Sequence, residues 1–299
     1  MNETPHRWLR CAAALLAVSA AACRVPRPPA AADLTAMSFN IRNGRADDGD
    51  NSWPHRRALV AEVLREHAPD IVGLQEAFRF QLDALGADLE GYAEIGEGRG
   101  SGTKDEYSAI LYRADRFDVL DSGTFWLSET PETVSKHWGH HHYRVCTWAH
   151  LEDVATRRAL YVFNTHFDHQ SQRARLNSAG LLRRRIEARP TQDPVLVLGD
   201  LNAGEDNPAV ARLKAPHSAL PLRDSYRQAH PGARAVGTGN GRYRGRRDGP
   251  KIDYVLVSAG FETVDASIDQ EPRHGRYPSD HYPVVARLRF APPATAGSR

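Results

Sequence analysis

Six apolar segments of this sequence begin or end at a carboxylate, an amide or an imidazole, and this pattern constrains the fold most strongly. In PVLVLGDLNA, for example, an apolar run stops at Asp200 and Asn202. Polar groups buried at the end of a strand are costly unless they meet partners. If the six strand ends converge, they form a single polar site.

The other strand ends carry the same types of side chain. They are Asn40 in MSFNIR, Glu76 in GLQEA, His166 and Asp168 in FNTHFDH, Asp253 in KIDYVL, and Asp280 and His281 in SDHYPV. Oxygen ligands of this kind suit Mg²⁺, which uses few protein carboxylates and leaves positions for water and phosphate oxygens. Because no cysteine takes part, a thiolate zinc site is disfavoured. Asp, Asn and His are also the groups that in-line phosphoryl transfer needs.

The order of the apolar segments predicts an α/β chain. Apolar residues recur at helical spacing in Trp53–Asp70 and Ser171–Pro190, and Phe78–Leu89 is interpreted as a further helix. Strands lie between these helices without strict alternation, which favours mixed or largely antiparallel sheets with helices packed outside. Residues 215–250 are rich in Gly, Pro, Arg and His and are expected to form a long surface loop with short elements.

The N-terminus has the pattern of a bacterial lipoprotein signal peptide. Basic residues precede an apolar run that is too short to span a membrane, and small residues follow directly before Cys23. We expect export to the periplasm or cell envelope, with lipid on Cys23 as a membrane anchor. Lipoprotein signals usually have a larger residue at the position of Ala20, so cleavage without lipidation is the alternative. The predicted organisation is a signal peptide (1–23), a Pro/Ala-rich tether (24–33), a folded domain (34–292) and a tail (293–299).

Composition restricts the partners of the chain only weakly. The 299 residues carry a net charge of +2, which neither indicates nor excludes a nucleic-acid binder. Cys11 lies in the signal segment and Cys23 at its end, so Cys146 would be left alone and an intramolecular disulfide is not expected. No base is evident beside Cys146, and we interpret it as a buried structural thiol.

Taken together, the ordered motifs resemble those of the endonuclease/exonuclease/phosphatase superfamily, whose fold is DNase-I-like. The resemblance extends from Leu34 to Phe290, and NSWPHRR and GTFWLSETPE are similar to an exported bacterial subgroup. It implies a four-layer sandwich of two packed mixed β-sheets flanked by helices, with the site at one edge. It also implies a metal-dependent hydrolase of phosphodiester or phosphomonoester bonds, with Mg²⁺ as the cofactor and Mn²⁺ as an alternative.

The resemblance implies three residues at the metal site. Glu76 matches the principal ligand, Asn40 a further metal-site position, and Asp280 a second acidic group near the metal. Some nucleases of the superfamily carry an acid two residues after the Asn40 position, where this chain has Arg42. A second metal ligand of that kind is therefore not expected.

Five residues match catalytic positions. Asp200 matches the carboxylate that orients or deprotonates the attacking water, and Asn202 matches its amide partner on a phosphate oxygen. His166 matches the histidine that stabilises the phosphate in the transition state. Asp253 matches the acid that orients the ring of His281 at the scissile phosphate, and such a carboxylate fixes the tautomer and raises the basicity of the imidazole. Whether Asp200 or His281 removes the proton of the water is left open.

The substrate is not defined by the resemblance, since the superfamily accepts DNA, RNA, inositol phosphates and sphingomyelin. The sequence has no evident Lys-rich aromatic insert of the kind that grips a DNA groove, so nucleic acid is not favoured as the substrate. An extracellular nuclease is nevertheless one alternative, and a module that binds a phosphorylated ligand without turnover is another. We expect a monomer.

Several other features have more than one interpretation. His137–His142 form a substrate-side loop, an inert loop or a metal site, and GEGRGSGTKDEY is a flexible loop or a phosphate cradle. Arg173 and Arg175, and Asp168 beside them, are candidates for substrate contacts, with a structural salt bridge as the alternative for the arginines. Arg183–Arg185 are interpreted as a solvated helix face.

Overall fold

The computed structural model describes Met1, residues 33–100 and residues 102–292. The predicted signal peptide, Cys23, nearly all of the tether and the tail lie outside these residues. The helices are α1 (Trp53–His67), α2 (Arg79–Asp88), α3 (Gln172–Glu187), α4 (Pro208–Lys214) and α5 (Ser225–Ala229). The strands are β1 (Leu34–Asn40), β2 (Ile71–Gln75), β3 (Tyr92–Ile95), β4 (Ile110–Arg113), β5 (Phe117–Trp126), β6 (Val145–Asp153), β7 (Arg158–His166), β8 (Val195–Asp200), β9 (Arg223–Asp224), β10 (Asp253–Val257), β11 (Phe261–Ile268) and β12 (Val284–Phe290).

The strands form two six-stranded sheets of mixed direction. The first sheet has the order β11-β12-β1-β2-β4-β3 and the second the order β5-β6-β7-β8-β10-β9. The pairs β1–β2 and β7–β8 are parallel, and the other pairs are antiparallel. The predicted α/β fold with mixed sheets is confirmed.

Side chains that alternate along the strands build the four layers. In β8, Leu196 and Leu198 join an apolar cluster made by strands of both sheets. Val195 and Val197 point the other way and pack in a cluster with α3 and α4. A third cluster joins the outer face of the first sheet to α1 and α2. A strand that is buried on both faces is largely apolar until it ends, which explains why the motif residues come after the apolar runs.

The topology places several polar strand ends at one edge. Parallel β7 and β8 end together, with His166 opposite Asp200. Antiparallel β10 begins at Asp253, which is also opposite Asp200. β12 runs antiparallel to β1, so the segment with Asp280 and His281, which precedes β12, lies where β1 ends.

A buried amide bridge ties the two sheets together beneath this edge. Asn164 of β7 donates to the carbonyls of Leu74 at 2.9 Å and Ala109 at 2.7 Å, and its Oδ1 accepts from Gln75 Nε2 at 2.7 Å. A Cβ at Gly73 would lie 2.6 Å from Asn164 Oδ1. The close approach of the sheets therefore requires glycine at this position.

The segment of residues 215–250 contains short elements, as expected, but part of it is not at the surface. It contains β9 and α5, and both Thr238 and Asn240 are fully buried. The carbonyl of Thr238 accepts from the Tyr282 N–H at 2.7 Å, and Asn240 Nδ2 donates to the Ser279 carbonyl at 2.6 Å. Part of the segment therefore supports the loop that carries Asp280.

Two further observations concern buried side chains. Cys146 is fully buried, and burial raises the pKa of its thiol well above the usual value, so the predicted structural thiol is confirmed. The interpretation of Arg183 as a solvated residue was wrong, because its guanidinium is buried and donates to the Leu220 carbonyl at 2.6 Å and to Ser218 Oγ at 2.8 Å.

Among the described residues, the helices are too short or too polar to cross a membrane.

Candidate active site

The polar strand ends meet in a cleft of about 400 Å³. Six of the sequence-predicted residues line it, namely Glu76, His166, Asp200, Asn202, Asp280 and His281. Asn40 and Asp253 are fully buried and hydrogen-bonded to lining residues. The structure thus brings together all eight residues to which the sequence assigned catalytic or metal-binding roles.

Glu76 is held at the end of β2 by donors on both carboxylate oxygens. Oε1 accepts from Asn40 Nδ2 at 3.1 Å, and Oε2 accepts from the Asn43 N–H at 2.8 Å. Burial alone would raise the pKa of Glu76, but the charge of His281 and these two hydrogen bonds outweigh it and lower the pKa. Glu76 is therefore an anion directed into the cleft.

Asn40 is held by hydrogen bonds at both ends of its amide. Its Oδ1 accepts from the Arg42 N–H at 2.9 Å, and its Nδ2 donates both to Glu76 and to Asp200 Oδ2, each at 3.1 Å. A metal-site role for Asn40 stays a prediction. Asn40 spaces two carboxylates, because one amide nitrogen carries two N–H groups.

Asp200 is the last residue of β8 and lies beside His166 at the end of β7. Its Oδ1 accepts from the Asn202 N–H at 2.8 Å, and its Oδ2 lies 3.5 Å from His166 Nε2. Burial, together with the charge of Asp253, raises the pKa of Asp200 to about 7. Burial, with the charge of Arg144, lowers the pKa of His166 well below its usual value, so this imidazole is neutral near pH 7.

His281 and Asp253 form a hydrogen-bonded pair. His281 Nδ1 lies 2.9 Å from Asp253 Oδ2, and His281 Nε2 points toward Asp200, 3.9 Å from Oδ2. Burial would lower the pKa of His281, but the charges of Asp253 and Asp200 outweigh burial and raise it well above the usual value. The ring is therefore oriented by one carboxylate and carries positive charge beside a second one.

Three residues at the cleft adopt left-handed backbone conformations. Arg42 has φ of 60°, Glu76 of 59° and Asn202 of 47°, and each follows the end of β1, β2 or β8. This conformation costs about 1–2 kcal/mol for residues other than glycine. The hydrogen bonds of Glu76 and Asp200 hold two of these turns in place, and strain of this kind is common at functional sites.

Glu76 and Asp280 provide the donors that best fit a hard divalent cation. Both carboxylates line the cleft, and burial together with the charge of Glu76 raises the pKa of Asp280, as expected for neighbouring anions. Asp200, Asp253 and His281 also have ligand atoms within 4.8 Å of one another. In that group, however, Nδ1 of His281 is engaged by Asp253, and a protonated imidazole does not bind metal.

The three candidates for substrate contacts lie elsewhere. Asp168 is fully buried, and its carboxylate accepts from the N–H groups of Gln170, Ser171 and His141 at 2.7–2.9 Å. Arg175 Nη1 donates to the Asp168 carbonyl at 2.8 Å. Arg173 is exposed on the first turn of α3 and is not among the residues that line the cleft. Asp168 and Arg175 therefore have structural contacts, and the prediction of substrate contacts for these residues is corrected.

The cleft has a basic wall formed by Arg99, His142, Arg144 and His169, of which Arg144 and His169 were not identified from the sequence. Arg99 lies in the Gly-rich loop, where its Nη1 is 2.6 Å from Glu106 Oε2. Arg144 directly precedes β6, which is antiparallel to β7, so it reaches the edge at which β7 ends. The rule of polar residues at strand ends, if applied to β6, would have identified Arg144.

The histidine-rich segment contributes one ring to this wall. Of His137, His140, His141 and His142, the cleft is lined by His142, whose ring stacks on that of His169 with centroids 5.9 Å apart. Burial, with the charge of Arg99, lowers the pKa of His142 to about 4. Within the described part of the chain, the histidines of this segment do not belong to a group with metal-ligand spacing. The substrate-side interpretation therefore fits the position of His142.

Comparison with known proteins points to one family. Residues 37–281 match the model of the Endonuclease/Exonuclease/phosphatase family. A member of that family from Bacteroides thetaiotaomicron has a solved structure that is 32% identical, with a TM-score of 0.80 over 87% of this chain and 96% of that one. A mannosyl-6-phosphatase from the same organism is 33% identical, with a TM-score of 0.79 over 86% of this chain and 100% of that one.

More distant proteins share the fold or part of the sequence. The catalytic domain of human Nocturnin is 21% identical, with a TM-score of 0.68 over 87% of this chain and 95% of that one. Two uncharacterised proteins of Acanthamoeba polyphaga mimivirus, R895 and L388, are 25% and 24% identical over 58% and 51% of this chain. The matches span 31% and 60% of the lengths of these relatives, so they indicate a shared domain.

Proposed function

The chain belongs to the endonuclease/exonuclease/phosphatase family, and on this basis we propose that it is an exported hydrolase that uses Mg²⁺ to cleave phosphoester bonds by in-line attack of water. The observation that carries this proposal is the single cleft shared by Glu76, His166, Asp200 and His281. A site that only bound phosphate would not need a carboxylate with a pKa of about 7 beside an oriented imidazole.

In the proposed mechanism, Asp200 accepts the proton of the attacking water. A base is most effective when its pKa lies near the working pH, and the pKa of Asp200 is about 7. Its position is fixed by hydrogen bonds from Asn40 Nδ2 and the Asn202 N–H. This assignment answers the choice that the sequence left open between Asp200 and His281.

The other side chains stabilise the phosphoryl group. His281, held by Asp253 and positively charged, is placed to donate from Nε2 to a phosphoryl or leaving-group oxygen. Neutral His166 supplies a further ring N–H. Asn202 Nδ2 donates one N–H to the Phe167 carbonyl at 3.0 Å, which leaves its second N–H for a phosphate oxygen.

We assign the metal to Glu76 and Asp280, with Mn²⁺ as an alternative to Mg²⁺. When bound, such a cation neutralises charge that develops on the phosphoryl oxygens. Few protein carboxylates are what Mg²⁺ requires, because it keeps several waters or substrate oxygens in its octahedral shell.

The proposed substrate is a phosphate ester outside the cytoplasm. The similarity to a mannosyl-6-phosphatase over nearly the whole domain supports a phosphomonoester, and a sugar phosphate in particular. Nucleic acid remains disfavoured, since the net charge is only +2. We further propose that the protein is a monomer that Cys23 anchors to a membrane surface through lipid.

The test is hydrolysis by the purified protein of p-nitrophenyl phosphate and bis-p-nitrophenyl phosphate with Mg²⁺ or Mn²⁺. We expect turnover that EDTA abolishes and added Mg²⁺ restores. Asp200→Asn should remove activity. His217→Ala, which changes an exposed residue outside the cleft, should not. A folded protein without activity on diesters, monoesters, nucleic acids and phospholipids with either metal would refute the proposal.

A further inference from the structure

Among the described residues, Arg144 is a buried cation that forms no salt bridge with a carboxylate. Only 4% of the residue is exposed, and its Nε and Nη1 atoms have no hydrogen-bond partner among the described residues. Its remaining nitrogen, Nη2, lies 3.4 Å from His169 Nδ1. Buried charges in folded proteins are normally paired, because an unpaired one is costly to bury. Such a group suggests that its partner is a ligand.

The other arginines of the cleft are either paired with a carboxylate or exposed to solvent. Arg42 pairs with Asp48 at 2.9 Å, and Arg99 pairs with Glu106 at 2.6 Å. Arg242 is exposed to solvent, so an unpaired charge there costs little. Arg144 is thus the arginine of this cleft that combines burial with unused donors.

The position of Arg144 relates it to the reacting group. Arg144 and His166 line the cleft together and also a smaller recess beside it. The charge of Arg144 contributes to the lowered pKa of His166. Burial and the charge of Arg99 lower the pKa of Arg144 itself, and the charges of Glu106, Glu76 and Asp200 act against this lowering. A phosphoryl group that lies against His166 would therefore also meet the guanidinium.

The negative charge of the phosphoryl group distinguishes phosphodiesters from phosphomonoesters. A phosphodiester carries one negative charge on two non-bridging oxygens. A phosphomonoester near neutral pH carries close to two charges on three such oxygens. A buried guanidinium that remains protonated favours the phosphoryl group of higher charge, which is that of the monoester. Arg144 would supply this additional cation opposite the carboxylates.

We propose that Arg144 binds the phosphoryl oxygens of the substrate and makes the cleft selective for phosphomonoesters over phosphodiesters. This inference rests on the proposed hydrolysis, and it adds the residue that selects between the two classes of ester. The family similarity does not supply this role, which follows from burial and from the unpartnered nitrogens of the side chain.

The experiment compares Arg144→Gln with wild type on p-nitrophenyl phosphate and bis-p-nitrophenyl phosphate. We expect kcat/KM for the monoester to fall on the order of 10²-fold, as for removal of a donor to a reacting anion, and that for the diester to fall by less than about 10-fold. Arg184→Gln, an exposed arginine of α3 outside the cleft, is the matched control and should change neither. Calorimetric titration with inorganic phosphate in the presence of Mg²⁺ should show weaker binding in Arg144→Gln and unchanged binding in the control.

Arg144→Lys provides a second variant in case Arg144→Gln does not fold. It keeps the charge but loses the planar set of donors, so its ratio of monoester to diester activity should fall below that of wild type. Equal fold losses in kcat/KM on both esters would overturn the proposed selectivity. Unchanged phosphate affinity in Arg144→Gln would overturn the proposed binding of phosphoryl oxygens. If the wild-type protein hydrolyses neither ester, the proposed selectivity is overturned. The proposed function is overturned only if nucleic acids and phospholipids are not hydrolysed either.

Discussion

Asp168→Asn tests whether this residue supports the structure or contacts substrate. Oδ1 of Asp168 accepts from the N–H groups of Gln170 and Ser171, and Oδ2 accepts from the His141 N–H at 2.9 Å. An asparagine keeps one acceptor but turns an NH₂ group toward a backbone N–H. The change should therefore leave a buried donor without a partner and destabilise the fold.

The pKa of Asp168 gives the magnitude. Burial acts to raise this pKa, but the three backbone N–H groups outweigh burial and lower it from 3.8 to about 2. A shift of this size, a little under 2 units, corresponds to about 2.5 kcal/mol of stability, since each unit is worth about 1.4 kcal/mol. Because the folded-state pKa is depressed, this stability is present above the unfolded-state pKa and is lost as pH falls toward 2.

Urea denaturation, followed by circular dichroism from pH 7 to pH 3, measures the difference. We expect Asp168→Asn to lower the free energy of unfolding by about 2.5 kcal/mol at pH 7 and by about half as much at pH 3. Asp83→Asn removes an exposed carboxylate that pairs with Arg79 and should cost less than about 0.5 kcal/mol. A gap that does not change with pH, or unchanged stability with a raised KM, would refute the structural role of Asp168.

The remaining predictions concern the site and the N-terminus. Glu76→Gln keeps the size of the side chain but removes an anionic ligand, so activity should fall and recover in part when the rate is measured at higher Mg²⁺ concentration. His281→Ala should lose on the order of 10²-fold or more in kcat without rescue by metal; similar rescue of both variants would contradict these roles. Asp253→Asn should give a weaker form of the His281 defect with an altered pH–rate profile, and an unaltered profile would count against the pair. Cys23→Ser should release the protein into the soluble fraction, whereas an intact mass without lipid on wild-type Cys23 would exclude the anchor.

The sequence determined the sheet class and the set of strand-end residues. Strands buried on both faces are largely apolar along their length, so Glu76, Asp200 and His281 could be identified from their positions beside apolar runs. The same local logic located α1 and α3 through the helical spacing of their apolar residues. These features depend on neighbours in sequence, which a single chain displays directly.

Only the tertiary structure decided what each polar group faces. His166 and Asp168 are two residues apart, yet one lines the cleft and the other is enclosed by backbone N–H groups. The orientation of Asn40 follows from a hydrogen bond to Asp200, 160 residues away. Arg144 acquires its position from the pairing of β6 with β7. Burial, pKa and hydrogen-bond partners arise from contacts between distant segments, and composition and spacing carry no direct record of those contacts.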